Sequence, residues 1–298
     1  MKGRTITLGL AALPIGAAAL LGGLYRRSPP LALNALNDLV PGDGGVRRVA
    51  TAVPFADGIA LDVWAAGTGG APKPVLIFYY GGAWASGRRR DYAFVARAYA
   101  ARGFVVVLPD YRKVPGVHFP AFVEDGAAAV RWTHDTIARF DGDPARIVLA
   151  GHSAGAYIAV MLALDRRYLA AAGVDPGVVR AAAGLAGPYD FHPFTSPRAQ
   201  VAMGRAPDPR QTQPITFARR DAPPLWLATG TADIEVHPEN ALSLAAHQRA
   251  AGSTTTVLRQ YPGRRHNDLV MAIAKPFRRR APVLGESIAF FRAHLALL

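Results

Sequence analysis

Short apolar runs alternate with longer helix-forming segments along most of the chain. The apolar runs predict strands near residues 48–55, 59–65, 74–80, 104–109, 146–151, 179–186, 224–230 and 254–260. The longer segments predict helices near residues 90–102, 119–140, 154–165, 238–251 and 284–296. This alternation favours an α/β fold with a mostly parallel eight-stranded sheet, helices on both faces and an antiparallel hairpin at its start.

The N-terminal segment has a different pattern, with a basic start, an uncharged stretch at residues 6–25 and two closing arginines. Twenty uncharged residues are enough to span a bilayer core of about 30 Å. The small residues at 17–19 instead suit cleavage by a signal peptidase. Residues 1–27 are therefore predicted to be a signal peptide or an N-terminal membrane anchor. The protein is accordingly predicted to be exported or anchored to the inner membrane, and to work in the periplasm of a bacterium.

The rest of the chain divides into a short connection and one large domain. Residues 28–45 hold three prolines and two asparagines, which predict a linker. Residues 46–298 are long enough for one domain with a sizeable core, in a chain with 51% hydrophobic and 18% charged residues. The proline-punctuated stretch 187–223 is predicted to be either a partial lid over a site or an inert surface excursion.

One serine stands between two glycines where a predicted strand meets a predicted helix. Gly151 and Gly155 permit the tight turn that this junction needs, because larger side chains would crowd it. Such a turn lifts the hydroxyl of Ser153 clear of the sheet edge. The pattern therefore predicts that Ser153 is a nucleophile.

A serine nucleophile needs a histidine base and an acid that orients the base. In this architecture they follow the serine in the order acid, then histidine. Asp233 and His266 have that order, and each follows a predicted strand at its carboxyl end, where parallel sheets place their ligands. Glu235 is an alternative acid. His118, His192 and His237 lie in predicted loops and are the alternative bases.

A tetrahedral intermediate also needs hydrogen-bond donors for its oxyanion. The strand predicted at 74–80 opens into glycines, whose small size lets backbone amides approach a ligand. The expected donors are the amides of Gly82, Ala83 and Ala154. The expected pocket residues are Tyr79, Tyr80, Trp84 and His152.

These features together resemble the α/β-hydrolase esterases. The motifs are Tyr80-Gly-Gly-Ala-Trp84, Pro109-Asp-Tyr-Arg112, Phe119-Pro120 with Glu124-Asp125, Gly151-His-Ser-Ala-Gly155, Gly230-Thr-Ala-Asp233 and Gly263 to His266. The nearest branch holds hormone-sensitive-lipase-like carboxylesterases, bacterial feruloyl-esterase-like enzymes and kynurenine formamidases. The resemblance implies that residues 46–298 form an α/β-hydrolase catalytic domain, which cleaves carboxylic esters through an acyl-enzyme intermediate.

One position departs from the family pattern. The family's oxyanion loop usually begins with histidine, whereas this chain has Tyr80, whose hydroxyl could hydrogen-bond in place of the imidazole. Two other functions stay open. An arylformamidase would cleave an amide with the same triad, and a non-catalytic, membrane-tethered binding protein would use only the fold.

Composition narrows the expected partners. The chain has no cysteine, so a disulfide and a thiol nucleophile are excluded. No metal-ligand spacing is present, and acyl transfer needs no cofactor. The net charge is +13, but the arginines are scattered and form no contiguous basic face, which argues against nucleic-acid binding. We expect a small-molecule ester as substrate and membrane association through the N-terminal segment; the oligomeric state is left open.

Overall fold

The structure, a computed structural model, describes residues 29–67 and 69–296. The strands are β1 (Val46–Ala56), β2 (Ile59–Ala66), β3 (Lys73–Tyr79), β4 (Val105–Pro109), β5 (Gly142–His152), β6 (Val179–Leu185), β7 (Leu225–Gly230) and β8 (Thr256–Tyr261). The α-helices are α1 (Pro29–Leu39), α2 (Ala93–Ala100), α3 (Ala121–Thr136), α4 (Ala154–Leu164), α5 (Arg166–Ala171), α6 (Pro197–Met203), α7 (Glu239–Ala250), α8 (His266–Met271) and α9 (Val283–Leu295).

All eight strands form one sheet in the order β1-β2-β4-β3-β5-β6-β7-β8. β1 pairs with β2 antiparallel, as the predicted hairpin requires, and β2 is also antiparallel to β4. Every other pair is parallel. β4 and β7 are buried along their whole length, which means that both faces of the sheet are covered. The predicted α/β-hydrolase fold is confirmed.

Helix α4 lies at the centre of the packing, against β5 and β6. All eleven of its residues are buried, and none is charged, which is typical of a helix surrounded by protein on every side. It ends at Asp165, whose carboxylate accepts a hydrogen bond from the Arg167 amide at 3.1 Å and so caps α5. This fully buried helix holds the turn that precedes it against the sheet.

The segment 28–45, predicted as a linker, contains helix α1 instead. The Asn34 side chain fixes the helix to the domain: its amide nitrogen donates to the Arg90 and Asp91 carbonyls at 3.0 and 2.8 Å, and its oxygen accepts from the Phe94 amide at 2.8 Å. Leu33 is 6% exposed. Apolar burial therefore orders this stretch, while its first two prolines occupy the helix start, where proline is tolerated.

The segment 187–223 packs on the domain through α6 and two 3₁₀ helices, Pro209–Thr212 and Pro214–Phe217. The Phe119 amide donates to the Ala202 carbonyl at 2.8 Å, and the Tyr157 hydroxyl donates to the Thr212 carbonyl at 2.8 Å.

The predicted signal peptide or membrane anchor at residues 1–27 lies outside the described residues. Within 29–67 and 69–296, no helix is both long and apolar enough to cross a membrane.

Candidate active site

Ser153 occupies a strained turn between β5 and α4. Its φ is +55° and its ψ is −123°, a region that non-glycine residues rarely adopt. Glycines flank Ser153 on both sides because neighbouring backbone segments pass very close to this turn. A Cβ on Gly151 would lie 2.2 Å from the Gly155 carbonyl oxygen, and one on Gly155 would lie 2.0 Å from that of Tyr79. The strand, the turn and the helix therefore follow the arrangement that the sequence predicts.

His266 and Asp233 meet because the loops after β7 and β8 touch. The Ala232 amide donates to the Arg264 carbonyl at 3.0 Å, and a Cβ on Gly230 would lie 2.2 Å from that same oxygen. Nδ1 of His266 donates to Oδ2 of Asp233 at 2.8 Å. Both side chains are buried.

Asp233, rather than the alternative acid Glu235, contacts the imidazole. Its other carboxylate oxygen, Oδ1, accepts the amides of Glu235 and Val236 at 2.9 and 3.0 Å. Burial alone would raise the Asp233 pKa, but the hydrogen bond and the charge of His266, together with these amides, hold the pKa below its ordinary value. The carboxylate is therefore ionised and fixes the Nδ1–H tautomer of His266.

Ser153 and His266 line the same cavity, which has a volume of about 780 Å³. The alternative bases are elsewhere: His118, His192 and His237 do not line this cavity. His118 instead contacts the Val201 carbonyl through Nδ1 at 2.7 Å.

The loop after β3 brings backbone amides to this cavity. Gly82 has φ +139°, and Ala83 and Trp84 have φ +50° and +57°. A Cβ on Gly82 would lie 2.3 Å from the Ser86 carbonyl oxygen, so glycine is required there. Gly82 and Ala83 line the cavity, and their amides donate to no backbone acceptor in the described part of the chain. Ala154, at the N-terminus of α4, is adjacent to Ser153 but is not part of the lining.

His152 is buried against the base. Its Nε2 donates to the backbone carbonyl of His266 at 3.2 Å, and the two ring centroids are 4.8 Å apart. Its Nδ1 has no hydrogen-bond partner among the described residues. Burial, followed by the neighbouring His266, lowers the His152 pKa to about 3, so the ring is neutral near pH 7. His152 is also one of the residues that line the cavity.

Known proteins share this arrangement of strands and loops. The model of the BD-FAE family matches residues 61–247. The chain belongs to the BD-FAE family. Esterase LipC of Mycobacterium tuberculosis is 32% identical over 215 residues, which are 65% of this chain and 53% of LipC. Esterase LipQ of the same organism is 30% identical over 253 residues, 78% of this chain and 58% of LipQ. The chain thus spans a little over half the length of these relatives.

Solved structures agree on the fold. The carboxylesterase EstE1, cloned from a metagenomic library, aligns with a TM-score of 0.76 at 21% identity and covers 97% of this chain and 99% of its own. A truncated carbohydrate esterase from gut microbiota aligns with a TM-score of 0.73 at 19% identity, over 86% of this chain and 99% of its own. At such identities the likeness shows the shared α/β-hydrolase fold.

In this BD-FAE protein, three of the four residues predicted to shape the pocket, Tyr79, Tyr80 and Trp84, lie outside the lining of the cavity that contains Ser153. Tyr79 and Tyr80 are fully buried, because the end of β3 lies inside the sheet. The Tyr79 hydroxyl donates to the Gly126 carbonyl at 2.8 Å, and the Tyr80 hydroxyl donates to Asp110 at 2.9 Å. The Tyr80 hydroxyl therefore makes a hydrogen bond, as expected for a tyrosine at this position. Trp84 stacks on Phe122 outside the cavity lining.

Most of the residues that form the cavity wall carry no motif in the sequence. Much of the apolar part comes from α1, α8 and the 3₁₀ turn Lys275–Phe277, through Leu31, Leu33, Leu36, Val270, Met271 and Phe277. The charged part comprises Arg88, Arg90, Asp91, Arg198 and Glu235. The spacing of Leu33 and Leu36 was a helical signal, but the neighbouring prolines favoured the linker interpretation. The arginines had no motif that distinguished them from the many other arginines of this chain.

Proposed function

We propose that this chain is a serine esterase that hydrolyses small carboxylic esters through an acyl-enzyme intermediate. The observation that carries the proposal is the 2.8 Å hydrogen bond from His266 Nδ1 to Asp233 Oδ2, with Ser153 on the same cavity as His266. This bond leaves the lone pair of a neutral His266 on Nε2, the nitrogen that a general base must present.

In the proposed first half-reaction, the Ser153 hydroxyl oxygen attacks the acyl carbon while His266 Nε2 takes its proton. The amides of Gly82, Ala83 and Ala154 donate to the oxyanion that forms. His266 then returns the proton to the leaving alcohol, and the acyl group stays on Ser153. Asp233 stays ionised and holds the imidazole in place throughout.

In the second half-reaction, His266 takes a proton from water, whose oxygen attacks the acyl-enzyme. The carboxylic acid leaves, and the Ser153 oxygen recovers its proton from His266. All the groups needed are side chains and backbone amides of this chain. The names of its relatives support an ester as the substrate, since LipC and LipQ are esterases. A carboxylesterase, NlhH of Mycobacterium tuberculosis, is also 42% identical over 91 residues.

Two parts of the organisation belong to the same proposal. Residues 187–223 act as a partial lid, supported by Arg198 in the cavity lining and by Phe191, which stacks on Trp84. Residues 1–27 export the protein or anchor it to the inner membrane, so that residues 46–298 work as a catalytic domain in a bacterial periplasm. The uncharged stretch at 6–25 supports this placement.

The decisive experiment compares Ser153→Ala with Ser196→Ala, which replaces an exposed serine outside the cavity lining. Both proteins are tested on 4-nitrophenyl esters of graded acyl length, on an N-formyl aromatic amine and with a fluorophosphonate probe. Ser153→Ala should lose about 10⁶-fold in kcat and all labelling, whereas Ser196→Ala should keep both. Unchanged ester cleavage by Ser153→Ala would reject the proposal, and faster cleavage of the formamide would favour an amidase.

A further inference from the structure

The cavity that contains Ser153 has a basic edge. Three arginines, Arg88, Arg90 and Arg198, line it, and we call them the arginine rim. They come from separate parts of the chain, two after the oxyanion loop and one in α6. All three residues are exposed. None of them forms an ion pair with a carboxylate in the described part of the chain.

The arginine between two members of the rim has a different environment. Nε of Arg89 donates to Asp62 at 2.9 Å, and its guanidinium also pairs with Asp110. Arg89 therefore forms ion pairs with two carboxylates, Asp62 and Asp110. Arg88 and Arg90 are instead lining residues of the cavity, and the Asn34 amide nitrogen donates to the Arg90 backbone carbonyl at 3.0 Å.

Two carboxylates also line the cavity, Asp91 and Glu235. Asp91 is only 7% exposed, whereas Glu235 is exposed like the rim. Three guanidinium groups against two carboxylates leave the lining with an excess of positive charge. The chain's net charge of +13 adds to the same potential. A ligand that enters therefore meets a positive edge.

Guanidinium groups bind carboxylate and phosphate oxygens through charge-assisted, often bidentate, hydrogen bonds. The same cavity also has an apolar surface for the rest of a substrate, formed by Leu31, Leu36 and Met271. We propose that this site prefers esters carrying a carboxylate or phosphate, which the arginine rim binds while Ser153 attacks the ester. This inference rests on the proposed esterase function and specifies its substrate class.

The test uses matched esters that share one leaving-group skeleton. They are 3-(butyryloxy)benzoate, 3-(butyryloxy)phenyl phosphate and the neutral 3-(butyryloxy)benzamide. The measured quantity is kcat/KM for each anionic ester divided by kcat/KM for the neutral ester 3-(butyryloxy)benzamide. This ratio cancels general losses of activity. The full chain is compared with Arg88→Gln/Arg90→Gln/Arg198→Gln. The control is Arg139→Gln, which removes an exposed arginine that lies outside the cavity lining and forms no ion pair among the described residues.

We expect the ratio to exceed about tenfold for at least one anionic ester, a size typical of several exposed charge contacts acting together. The triple variant should lower that ratio to near one, and Arg139→Gln should leave it unchanged. Raising the salt from about 0.05 to about 0.5 M should also lower it, since exposed charges are screened. The anion with the higher ratio identifies the bound group as carboxylate or phosphate.

Two results would overturn the inference while leaving the esterase proposal intact. One is efficient cleavage of the neutral amide-bearing ester with no preference for either anion. The other is a preference that survives in the triple variant. If no ester is cleaved and Ser153 is not labelled by a fluorophosphonate, the proposed function fails and the substrate class fails with it.

Discussion

The imidazole of His152 donates a hydrogen bond to the backbone carbonyl of His266 at 3.2 Å. The bond joins the turn that holds Ser153 to the loop that holds the proposed base. Because these two elements follow β5 and β8, which are not neighbours in the sheet, no strand pairing links them directly. His152 therefore couples two separately positioned parts of the site, and its burial gives this contact consequences for both stability and activity.

The first prediction concerns stability in acid. The buried His152 has a pKa of about 3, lowered from 6.5, so between these values the unfolded chain binds a proton that the folded chain does not. The free energy of unfolding should therefore fall as the pH falls from 6.5 towards 3, by up to about 1.4 kcal/mol per pH unit from this group. His152→Gln should have a shallower pH dependence in urea unfolding measured between pH 7 and pH 4.

The control for this experiment is His134→Gln, which replaces a histidine whose side chain is 46% exposed. That variant should keep the wild-type slope. An identical slope in the wild type and in His152→Gln would show that burial of this imidazole does not govern the acid sensitivity.

The second prediction concerns positioning. Glutamine can place an amide N–H near the position of His152 Nε2, whereas leucine cannot donate at all. His152→Leu should lower kcat by about 10- to 100-fold, as expected when a catalytic group is displaced, and His152→Gln should recover part of the loss. The measurement is kcat and KM on a short-chain aryl ester. Equal activity in the two variants would argue against the role of this hydrogen bond.

Much of the fold was accessible from the sequence because central strands such as β4 and β7 are fully buried and form apolar runs. Ser153, Asp233 and His266 were predicted from the local turn and from the order of residues along the chain, which one sequence displays directly. The pocket was not accessible, since it depends on which elements pack together. Tyr79 is the last residue of β3 and is buried with it, while Leu36 comes from a segment whose prolines suggested a linker.

The third prediction separates the two candidate acids. Asp233→Asn removes the charge opposite Nδ1 of His266 and permits the wrong imidazole tautomer, so kcat should fall about 10⁴-fold. Glu235→Gln removes an exposed carboxylate that does not hold the imidazole, and the loss should stay below about tenfold. The measurement is kcat and kcat/KM of both variants on a neutral aryl ester, as a function of pH. A larger loss for Glu235→Gln than for Asp233→Asn would exchange the two roles.

The last prediction concerns Asn34, whose side chain makes three hydrogen bonds from α1 to the segment 90–94. Asn34→Ala leaves those backbone groups without their partner, which should lower the free energy of unfolding by about 1 to 3 kcal/mol. Since Leu36 of the same helix lines the cavity, detachment of α1 should also raise KM for longer acyl chains more than for acetate. Asn267→Ala is a useful comparison, because Asn267 lines the cavity from α8 rather than from α1. A KM increase that is the same for all chain lengths would mean that α1 does not contact the acyl group.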